Sequence, residues 1–320
     1  MKLLHRLKIY IFGFLSILIV LCYIAGELDQ WHRYLEFTNN FKLQYLLLNF
    51  CTLLFWLIIR KYSWLVLSAI CVAINLSFII PWYLPAQQQI QNISYESLRV
   101  LSFNVLHYHN ERYDDAIKLV ENSQADIAVF QEAVDPWDKE LLALKQIFPY
   151  HVSTPKLQIE IYSKYPLQNT KVQLYGTYRG LVISQISVNK TDFIFVAAHT
   201  YPQLYYGHQG WQIRNEQLEE GMGTQLRNIE QPIIVAGDLN VTMWSSQYKA
   251  MIANSGLHNT RQGFGILPTQ SSYFPQFSWL SIPLDHFLVS RDIIVKNMKT
   301  GKPIGSDHLP IIVDLLIPQP

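Results

Sequence analysis

The first quarter of the chain contains three long apolar stretches, at residues 7–25, 41–59 and 62–84. Each is close to the roughly 20 residues that an α-helix needs to cross a lipid bilayer. Basic residues around the start of the first stretch are also typical of secretory signal peptides. However, this stretch is longer than a signal core and two more follow directly. The pattern therefore predicts a membrane region at residues 1–85 with three retained transmembrane helices.

Basic residues are distributed unevenly around these stretches. Three lie near the start of the first stretch, and Arg60 and Lys61 fill the turn between the second and the third. The loop at residues 26–40 carries three acidic residues and Arg33 as its single basic one. Because Lys- and Arg-rich loops stay in the cytoplasm, the N-terminus is predicted inside and everything after Pro85 outside. In a bacterium this corresponds to a multi-pass inner-membrane protein with its C-terminal part on the periplasmic side.

The hydrophobic pattern changes beyond the membrane region. Residues 86–97 are polar and rich in glutamine, which predicts a linker. Strand and helix patterns then alternate. The predicted strands are 98–105, 126–130, 181–188, 193–198, 233–236, 284–290 and 309–316, and the predicted helices are 113–122, 136–148 and 211–227. This order predicts one α/β domain at residues 98–318, with sheets covered by helices.

Composition and charge narrow the possible functions. Half of the residues are apolar and 15% are charged, which excludes a disordered or low-complexity chain. Residues 90–320 hold 18 basic and 21 acidic side chains, so this half offers no broad cationic surface for duplex nucleic acid. All three cysteines lie in the apolar stretches, which excludes a disulfide framework and a cysteine-based zinc site.

Polar residues able to bind a metal ion or phosphate occur next to the predicted strands. They fall in five segments: 102–104, 130–132, 197–199, 237–240 and 306–310. In α/β proteins such residues converge on the sheet edge where ligands bind. Each residue alone has a simpler interpretation. Asp238 could cap a helix, His199 could be structural, and the others could be turn residues. Their joint order favours a catalytic site.

Two of these segments together resemble a known superfamily. Gly-Asp-x-Asn at 237–240 is followed about 70 residues later by Ser-Asp-His-x-Pro at 306–310. This order is similar to the endonuclease/exonuclease/phosphatase superfamily, which includes deoxyribonuclease I and bacterial members tethered to membranes. The resemblance covers about residues 97–318. It implies a four-layer sandwich of two mixed β-sheets flanked by helices, preceded here by three transmembrane helices, and metal-dependent hydrolysis of phosphate esters.

The resemblance also implies a cofactor and the residues that bind it. Glu132 matches the principal Mg²⁺ ligand, Asn104 supports the metal or the phosphate, and Asp307 is a second metal-side carboxylate. Carboxylate and amide oxygens are ligands that a hard cation prefers. The expected ion is Mg²⁺, with Mn²⁺ as the alternative.

The catalytic residues implied by the resemblance are five. Asp238 positions and deprotonates the attacking water, and Asn240 holds that water or the phosphate. His308 contacts the scissile phosphate and is oriented by Asp285. His199 is either a phosphate contact or a proton donor to the leaving oxygen.

Two residues are weaker candidates for binding substrate. Tyr201 begins an aromatic segment on which bases or sugars could stack, although the segment could equally pack the loop or touch the bilayer. Arg214 could contact phosphate, and the alternative is a solvated charge on a helix. Five histidines match no motif and are predicted to be structural or at the surface: His107, His109, His208, His258 and His286.

The leading hypothesis is a membrane-anchored, Mg²⁺-dependent phosphodiesterase of the nuclease type. The alternatives within the same chemistry are a phosphodiesterase acting on phospholipid or sphingolipid headgroups and a phosphomonoesterase. A non-catalytic, membrane-anchored binding protein is the alternative from another class, because a fold does not by itself fix a function. The sequence identifies no protein partner.

Overall fold

The apolar stretches at the N-terminus form long helices. A computed structural model of the chain describes residues 2–86, 93–189, 191–203, 205–270 and 279–319. Helices α1 (Lys2–Glu27), α3 (Lys42–Ile58) and α4 (Tyr62–Ile79) are joined by a short helix α2 (Arg33–Phe37) and a tight turn. In these described ranges three helical segments are long and apolar enough to cross a membrane. Residues 28–41, between α1 and α3, are called the interhelix segment below.

Polar contacts fix the helices against one another. The indole Nε1 of Trp56 donates to Ser16 Oγ over 3.1 Å, and Asn49 Nδ2 donates to the hydroxyl of Tyr23 over 2.9 Å. Between apolar surfaces such hydrogen bonds specify which helix faces meet. Most of the large apolar side chains on the outer faces remain exposed, as a lipid environment requires.

Two mixed sheets make up the second part of the chain. One has the strand order β11-β12-β1-β2-β4-β3 and the other β5-β6-β7-β8-β10-β9. β1 pairs with β2 and β7 with β8 in parallel, and the other pairs are antiparallel. The strands are β1 (Tyr95–Asn104), β2 (Ile127–Gln131), β3 (Tyr150–Thr154), β4 (Ile159–Ser163), β5 (Leu167–Tyr175), β6 (Arg179–Val188), β7 (Thr191–His199), β8 (Ile233–Asp238), β9 (His258–Asn259), β10 (Asp285–Val289), β11 (Ile294–Thr300) and β12 (Ile311–Pro318).

The alternation of side chains along the strands creates the layers. On β7, Phe195 and Ala197 pack between the two sheets, whereas Val196 and Ala198 pack against the helices outside. The outer helices on this sheet are α7 (Gly207–Glu216) and α8 (Ser246–Ser255), whereas α5 (Tyr113–Ser123) and α6 (Trp137–Glu140) cover the other sheet. The predicted α/β class, with two mixed sheets flanked by helices and preceded by three apolar helices, is confirmed.

Some predicted elements differ in detail. The helix predicted at 136–148 is α6 followed by a 3₁₀ segment, Leu141–Gln146. The helix predicted at 211–227 is α7 continued by a π-helical segment, Gln217–Thr224. A side chain at Gly221 in this segment would approach the hydroxyl of Tyr175, so the wider turn accommodates the strand behind it. Strands β3, β4, β5, β9 and β11 and helix α8 were not predicted, because polar residues interrupt their hydrophobic pattern or, for β9, because the strand has only two residues.

The membrane helices and the sheets share part of one hydrophobic cluster. Leu46, Val72 and Ile79 from the helices belong to the same cluster as Trp244 and Tyr248 from the second half. At the start of α8, the backbone N–H of Ser246 donates to Asp29 Oδ2 over 2.8 Å. The two parts are therefore packed together rather than merely tethered.

The predicted linker between the two parts lies mostly outside the described residues. It was placed at residues 86–97, and residues 87–92 are not described. Just before it, the carbonyl of Trp82 accepts hydrogen bonds from the backbone N–H groups of Gly263 and Gly265, each over 2.9 Å. The division at residues 85 and 98 stays a prediction.

Candidate active site

The predicted site residues lie where strands of the two sheets end. Asn104 and Gln131 are opposite each other at the ends of β1 and β2, and Glu132 follows directly. His199 and Asp238 are opposite each other at the ends of β7 and β8. Because each pair of strands is parallel, both ends open at the same edge of the sheet. The two edges together form one polar site.

Asp285 and His308 complete this site from the C-terminal part of the chain. Asp285 begins β10 and lies opposite Asp238 in the antiparallel pair β8–β10. Nδ1 of His308 is 2.8 Å from Asp285 Oδ2, and Nε2 of His308 is 3.7 Å from Asp238 Oδ2. One side-chain atom from each of these three residues lies within 4.8 Å of the others. They form a buried carboxylate–imidazole–carboxylate row.

Two asparagines hold the carboxylate of Asp238. Asn104 Nδ2 donates to Oδ2 over 3.0 Å, and the backbone N–H of Asn240 donates to Oδ1 over 2.9 Å. Asn240 is itself fixed by its Nδ2, which donates to the carbonyl of Thr200 over 3.0 Å. Its φ of +46° lies in the left-handed region, which asparagine tolerates better than most residues. The orientation of Asp238 therefore depends on Asn240.

The predicted metal ligands are Glu132, Asn104 and Asp307. Burial raises the pKa of Asp307, and Glu132 adds to the rise, so these two carboxylates interact. Oxygen donors of this kind fit a hard divalent cation. The spacing of Asp238, Asp285 and His308 would also suit an ion. In this row Nδ1 of His308 faces a carboxylate oxygen of Asp285, and we interpret the row as the acid–base part of the site.

The buried position of these groups shifts their protonation. Burial raises the pKa of Asp238 to about 7, although the positive ring of His308 opposes the rise. Burial alone would lower the pKa of His308, but Asp285 and Asp238 raise it well above its ordinary value. Burial, and then the charge of Arg179, lowers the pKa of His199 well below its ordinary value. At neutral pH His308 is charged and His199 is neutral.

Glu132 has two basic neighbours that the sequence did not single out. Nε2 of His107 is 2.6 Å from Oε2 of Glu132, and the Arg179 guanidinium is 3.3 Å from Oε1. Burial would raise the pKa of Glu132, but these groups and His199 lower it below its ordinary value. His107, predicted to be structural or at the surface, is thus part of the site. Its only sequence signal is that it follows Asn104 by three residues.

The backbone around the site is strained. Leu106, His107 and Glu132 have φ values of +64°, +34° and +59°. Residues other than glycine pay of order 1–3 kcal/mol for such conformations, which persist where the surroundings enforce them. Here the strained positions coincide with the residues that surround the Glu132 carboxylate, as is common in active sites.

Gly237, the first residue of the Gly-Asp-x-Asn segment, has no room for a side chain. Its φ is +147°, and an added Cβ would lie 1.9 Å from the carbonyl oxygen of Ala198 on the neighbouring strand. We expect Gly237→Ala to lower the free energy of unfolding by about 3 kcal/mol or more, because β7 and β8 must separate.

Gly256→Ala is the control: φ is +72° there, but the Cβ meets nothing within 4 Å. This control should cost only about 1–2 kcal/mol. Equal losses in chemical or thermal unfolding would contradict the steric argument.

An aromatic cleft adjoins the Glu132 side of the site. It has a volume of about 570 Å³, within the range of ligand pockets. Its lining includes His107, Tyr108, Gln158, Tyr178, Arg179 and Tyr206. Phenol rings beside an arginine can hold a planar or sugar-like group, because such groups stack on aromatic faces. The cleft lies next to Glu132, because His107 and Arg179, which contact the Glu132 carboxylate, both line it.

Arg214 and Tyr201, the two weaker candidates for substrate binding, are buried and paired within the protein. Arg214 is fully buried, and its guanidinium forms an ion pair with Glu36 of the interhelix segment. Tyr201 is 3% exposed, and its hydroxyl accepts a hydrogen bond from the backbone N–H of Thr177 over 2.7 Å. We therefore correct the substrate-binding interpretation of both residues: each stabilises the loops around the site from within.

Comparison with known proteins agrees with this architecture. The model of the endonuclease/exonuclease/phosphatase family matches residues 101–308. A search of curated proteins found no significant match. An endonuclease/exonuclease/phosphatase family protein from Bacteroides thetaiotaomicron is 19% identical, with a TM-score of 0.57, over 70% of this chain and 99% of that one.

Two other solved structures share the fold with different named activities or ligands. TDP2 from D. rerio, complexed with a single-strand DNA product, is 15% identical with a TM-score of 0.56, over 69% of this chain and 99% of that one. A mannosyl-6-phosphatase from Bacteroides thetaiotaomicron is 19% identical with a TM-score of 0.55, over 68% of this chain and 99% of that one. At these identities the likeness shows the fold, whereas the family match spans more than half of the chain. The chain belongs to the endonuclease/exonuclease/phosphatase family of phosphoester hydrolases.

Proposed function

We propose that this protein is a membrane-anchored, Mg²⁺-dependent phosphodiesterase of the nuclease type. The observation that carries the proposal is the buried row of Asp238, His308 and Asp285, with its side-chain atoms within 4.8 Å of one another. A charged imidazole between two carboxylates, beside a strand-end glutamate, suits the stabilisation of a phosphate transition state and the activation of water.

On this proposal, Asp238 accepts a proton from the attacking water and Asn240 keeps its carboxylate in place. Glu132, Asn104 and Asp307 would hold the cation, which would neutralise charge on the phosphoryl oxygens. Their oxygen atoms match the preference of Mg²⁺, and Mn²⁺ is the alternative.

The two histidines would contact the phosphate, and both lie within 4 Å of Asp238. Charged His308 donates a hydrogen bond to a phosphoryl oxygen, while Asp285 fixes its ring through Nδ1. The ring nitrogens of His199 are buried and have no hydrogen-bond partner among the described residues. Because His199 is neutral at pH 7, the role of phosphate contact is favoured over that of proton donor.

Removal of divalent metal tests the chemistry. The full-length protein in detergent micelles should hydrolyse bis(p-nitrophenyl) phosphate with Mg²⁺ or Mn²⁺, and EDTA should lower the rate to background. Re-addition of Mg²⁺ in excess should restore it, whereas Ca²⁺ alone serves as a control for non-specific recovery. Full activity in EDTA would overturn the metal-dependent mechanism.

A second candidate acts on phospholipid or sphingolipid headgroups. It is favoured by the contact between the loops around the site and the membrane helices. Gln44 Nε2, on α3, donates to the carbonyls of Trp279 and Ser281 over 3.0 and 3.2 Å, and Trp279 is 56% exposed. An exposed aromatic on a segment that contacts a membrane helix is suited to a position at the lipid interface.

One substrate panel separates these candidates and the phosphomonoesterase alternative. The full-length protein would be given plasmid DNA, phosphatidylcholine–sphingomyelin vesicles and mannose 6-phosphate under the same conditions. Nicking of DNA would support the nuclease, headgroup release would replace it by the lipid enzyme, and release of inorganic phosphate would favour the monoesterase. If the protein with metal hydrolyses neither these three substrates nor bis(p-nitrophenyl) phosphate, the result would favour the non-catalytic binding protein.

The proposed location is the bacterial inner membrane, with the catalytic half on the periplasmic side. The interhelix segment and the C-terminal end of α4 both contact the catalytic half, as expected if α3 and α4 cross the membrane twice and return the chain to the same side. Arg60 and Lys61, at the other end of α3 and α4, favour the cytoplasm. A C-terminal alkaline phosphatase fusion should be active and a green fluorescent protein fusion dark. The reverse pattern would invert the orientation.

A further inference from the structure

A carboxylate from the membrane region is buried inside the catalytic half. Glu36, in α2 of the interhelix segment, is 1% exposed. Its carboxylate accepts hydrogen bonds from the indole of Trp211, the guanidinium of Arg214 and the hydroxyl of Ser245. Three donors from the catalytic half thus converge on one acid that belongs to another part of the chain.

The arginine in this cluster connects it to the active site. Nη1 of Arg214 donates to the carbonyl oxygen of Asn240 over 3.1 Å. The N–H of the same Asn240 donates to Asp238 Oδ1 over 2.9 Å. A continuous path of hydrogen bonds therefore runs from Glu36 through Arg214 and Asn240 to the carboxylate proposed to activate water.

The interhelix segment also holds the loops that follow β7 and β8. Asn40 Nδ2 donates to Gln203 Oε1 over 3.0 Å, and Thr242 Oγ1 donates to Asn40 Oδ1 over 3.2 Å. Gln203 Nε2 in turn donates to the backbone carbonyl of Arg33 over 2.9 Å. Gln203 lies four residues after His199, and Thr242 four residues after Asp238. The loops that follow His199 and Asp238 are thus both hydrogen-bonded to the interhelix segment.

We propose that Glu36 is a positioning residue of the active site, which holds Asn240 and thereby Asp238 through the buried guanidinium of Arg214. The proposal rests on the proposed function only in that Asp238 takes part in hydrolysis. Of the described acidic residues, Glu36 is the one in ion-pair contact with Arg214. Removal of its charge leaves a buried guanidinium uncompensated, and the guanidinium then leaves the Asn240 carbonyl to find water or another acceptor.

The test separates positioning from simple stabilisation. Glu36→Gln, the double variant Glu36→Gln/Arg214→Gln and the wild type would be compared as full-length proteins in detergent. The double variant contains no orphaned charge, so it should recover the thermal stability that the single variant loses. If Glu36 only stabilises the fold, the double variant also recovers kcat. If Glu36 positions Asn240, the kcat of the double variant stays low, because this variant still lacks the guanidinium that contacts the Asn240 carbonyl.

Two readouts are measured on every variant. The first is hydrolysis of bis(p-nitrophenyl) phosphate, where we expect kcat to fall about 10- to 100-fold in both variants with KM within about threefold. The second is hydrogen–deuterium exchange of the amides at residues 239–242, which should become faster in both. Asp314→Asn is the control: it breaks the ion pair of Arg99 and Asp314, and Arg99 lies in the middle of β1, five residues before Asn104. It should change neither readout.

Normal kcat or unchanged exchange at residues 239–242 in the folded double variant would overturn the proposal. A wild type that hydrolyses nothing would refute the proposed function, and the exchange readout would still decide the role of Glu36. Glu36→Asp covers the case in which both variants misfold. The aspartate keeps the negative charge but is shorter by one methylene, so the carboxylate lies farther from Arg214. Slower turnover and faster exchange in this folded variant would support the positioning role, and wild-type values would refute that role.

Discussion

Replacement of His308 by alanine is expected to lower kcat by about 10²- to 10⁴-fold, the usual contribution of a positioned acid–base group. The ring is held by Asp285, its Nε2 lies 3.7 Å from Asp238 Oδ2, and both carboxylates keep it charged at neutral pH. Without the imidazolium, phosphoryl charge loses its donor and two buried carboxylates lose the positive group between them. Steady-state hydrolysis of bis(p-nitrophenyl) phosphate measures the effect.

His258→Ala is the matched control, because His258 lies opposite Val289, at the far end of β10 from Asp285. Its kcat should match the wild type. The pH profile gives an independent check. Asp238 must lose its proton to act as a base. Activity should therefore rise with pH and reach half of its maximum near pH 7, because burial raises the pKa of this carboxyl to about 7. A His308→Ala protein with more than a tenth of wild-type kcat would remove this residue from the chemistry.

Deletion of residues 1–92 is expected to destabilise the catalytic half by at least about 3–5 kcal/mol, the cost of leaving a buried charge without its partner. The deletion removes Glu36 from Arg214, which is fully buried. It also exposes Trp244 and Tyr248, which share a hydrophobic cluster with Leu46. Urea unfolding of the deleted protein, followed by tryptophan fluorescence, should show a midpoint far below that of the full chain.

Arg214→Gln makes this prediction sharper, because its effect should change sign. In the full chain it leaves Glu36 buried alone and should destabilise the protein. In the deleted chain it removes the orphaned guanidinium and should stabilise the protein, by a part of the energy that the deletion costs. Equal effects in the two backgrounds would show that the buried ion pair does not couple the two parts.

The positions of most site residues could be predicted because the ends of parallel strands fix where side chains converge. Asn104 ends β1 and Glu132 follows β2, and His199 and Asp238 end β7 and β8. The predicted strands were short apolar runs with clear ends, so an error of two residues in a boundary did not move the catalytic side chains to another edge. The same rule supports the metal set, although its ligands remain predictions.

The residues that sequence reasoning missed or misassigned share another property. His107 and Arg179 approach Glu132 from a strained turn and from the start of β6, and no local period marks either place. Arg214 occurs in a helix with many polar neighbours, which is typical of a solvated charge. Its partner Glu36 is 178 residues away in the sequence, so only the tertiary structure reveals the pair.

That separation has a consequence for how the protein is made. At a synthesis rate of about 5–20 residues per second, roughly 10–35 s pass between the synthesis of Glu36 and that of Arg214. Glu36 is therefore synthesised well before the arginine with which it pairs. A chain whose N-terminal helices fail to insert has no docked acid to receive Arg214. A misinserted chain is therefore expected to have a less stable catalytic half with slower turnover, which links activity to correct membrane insertion.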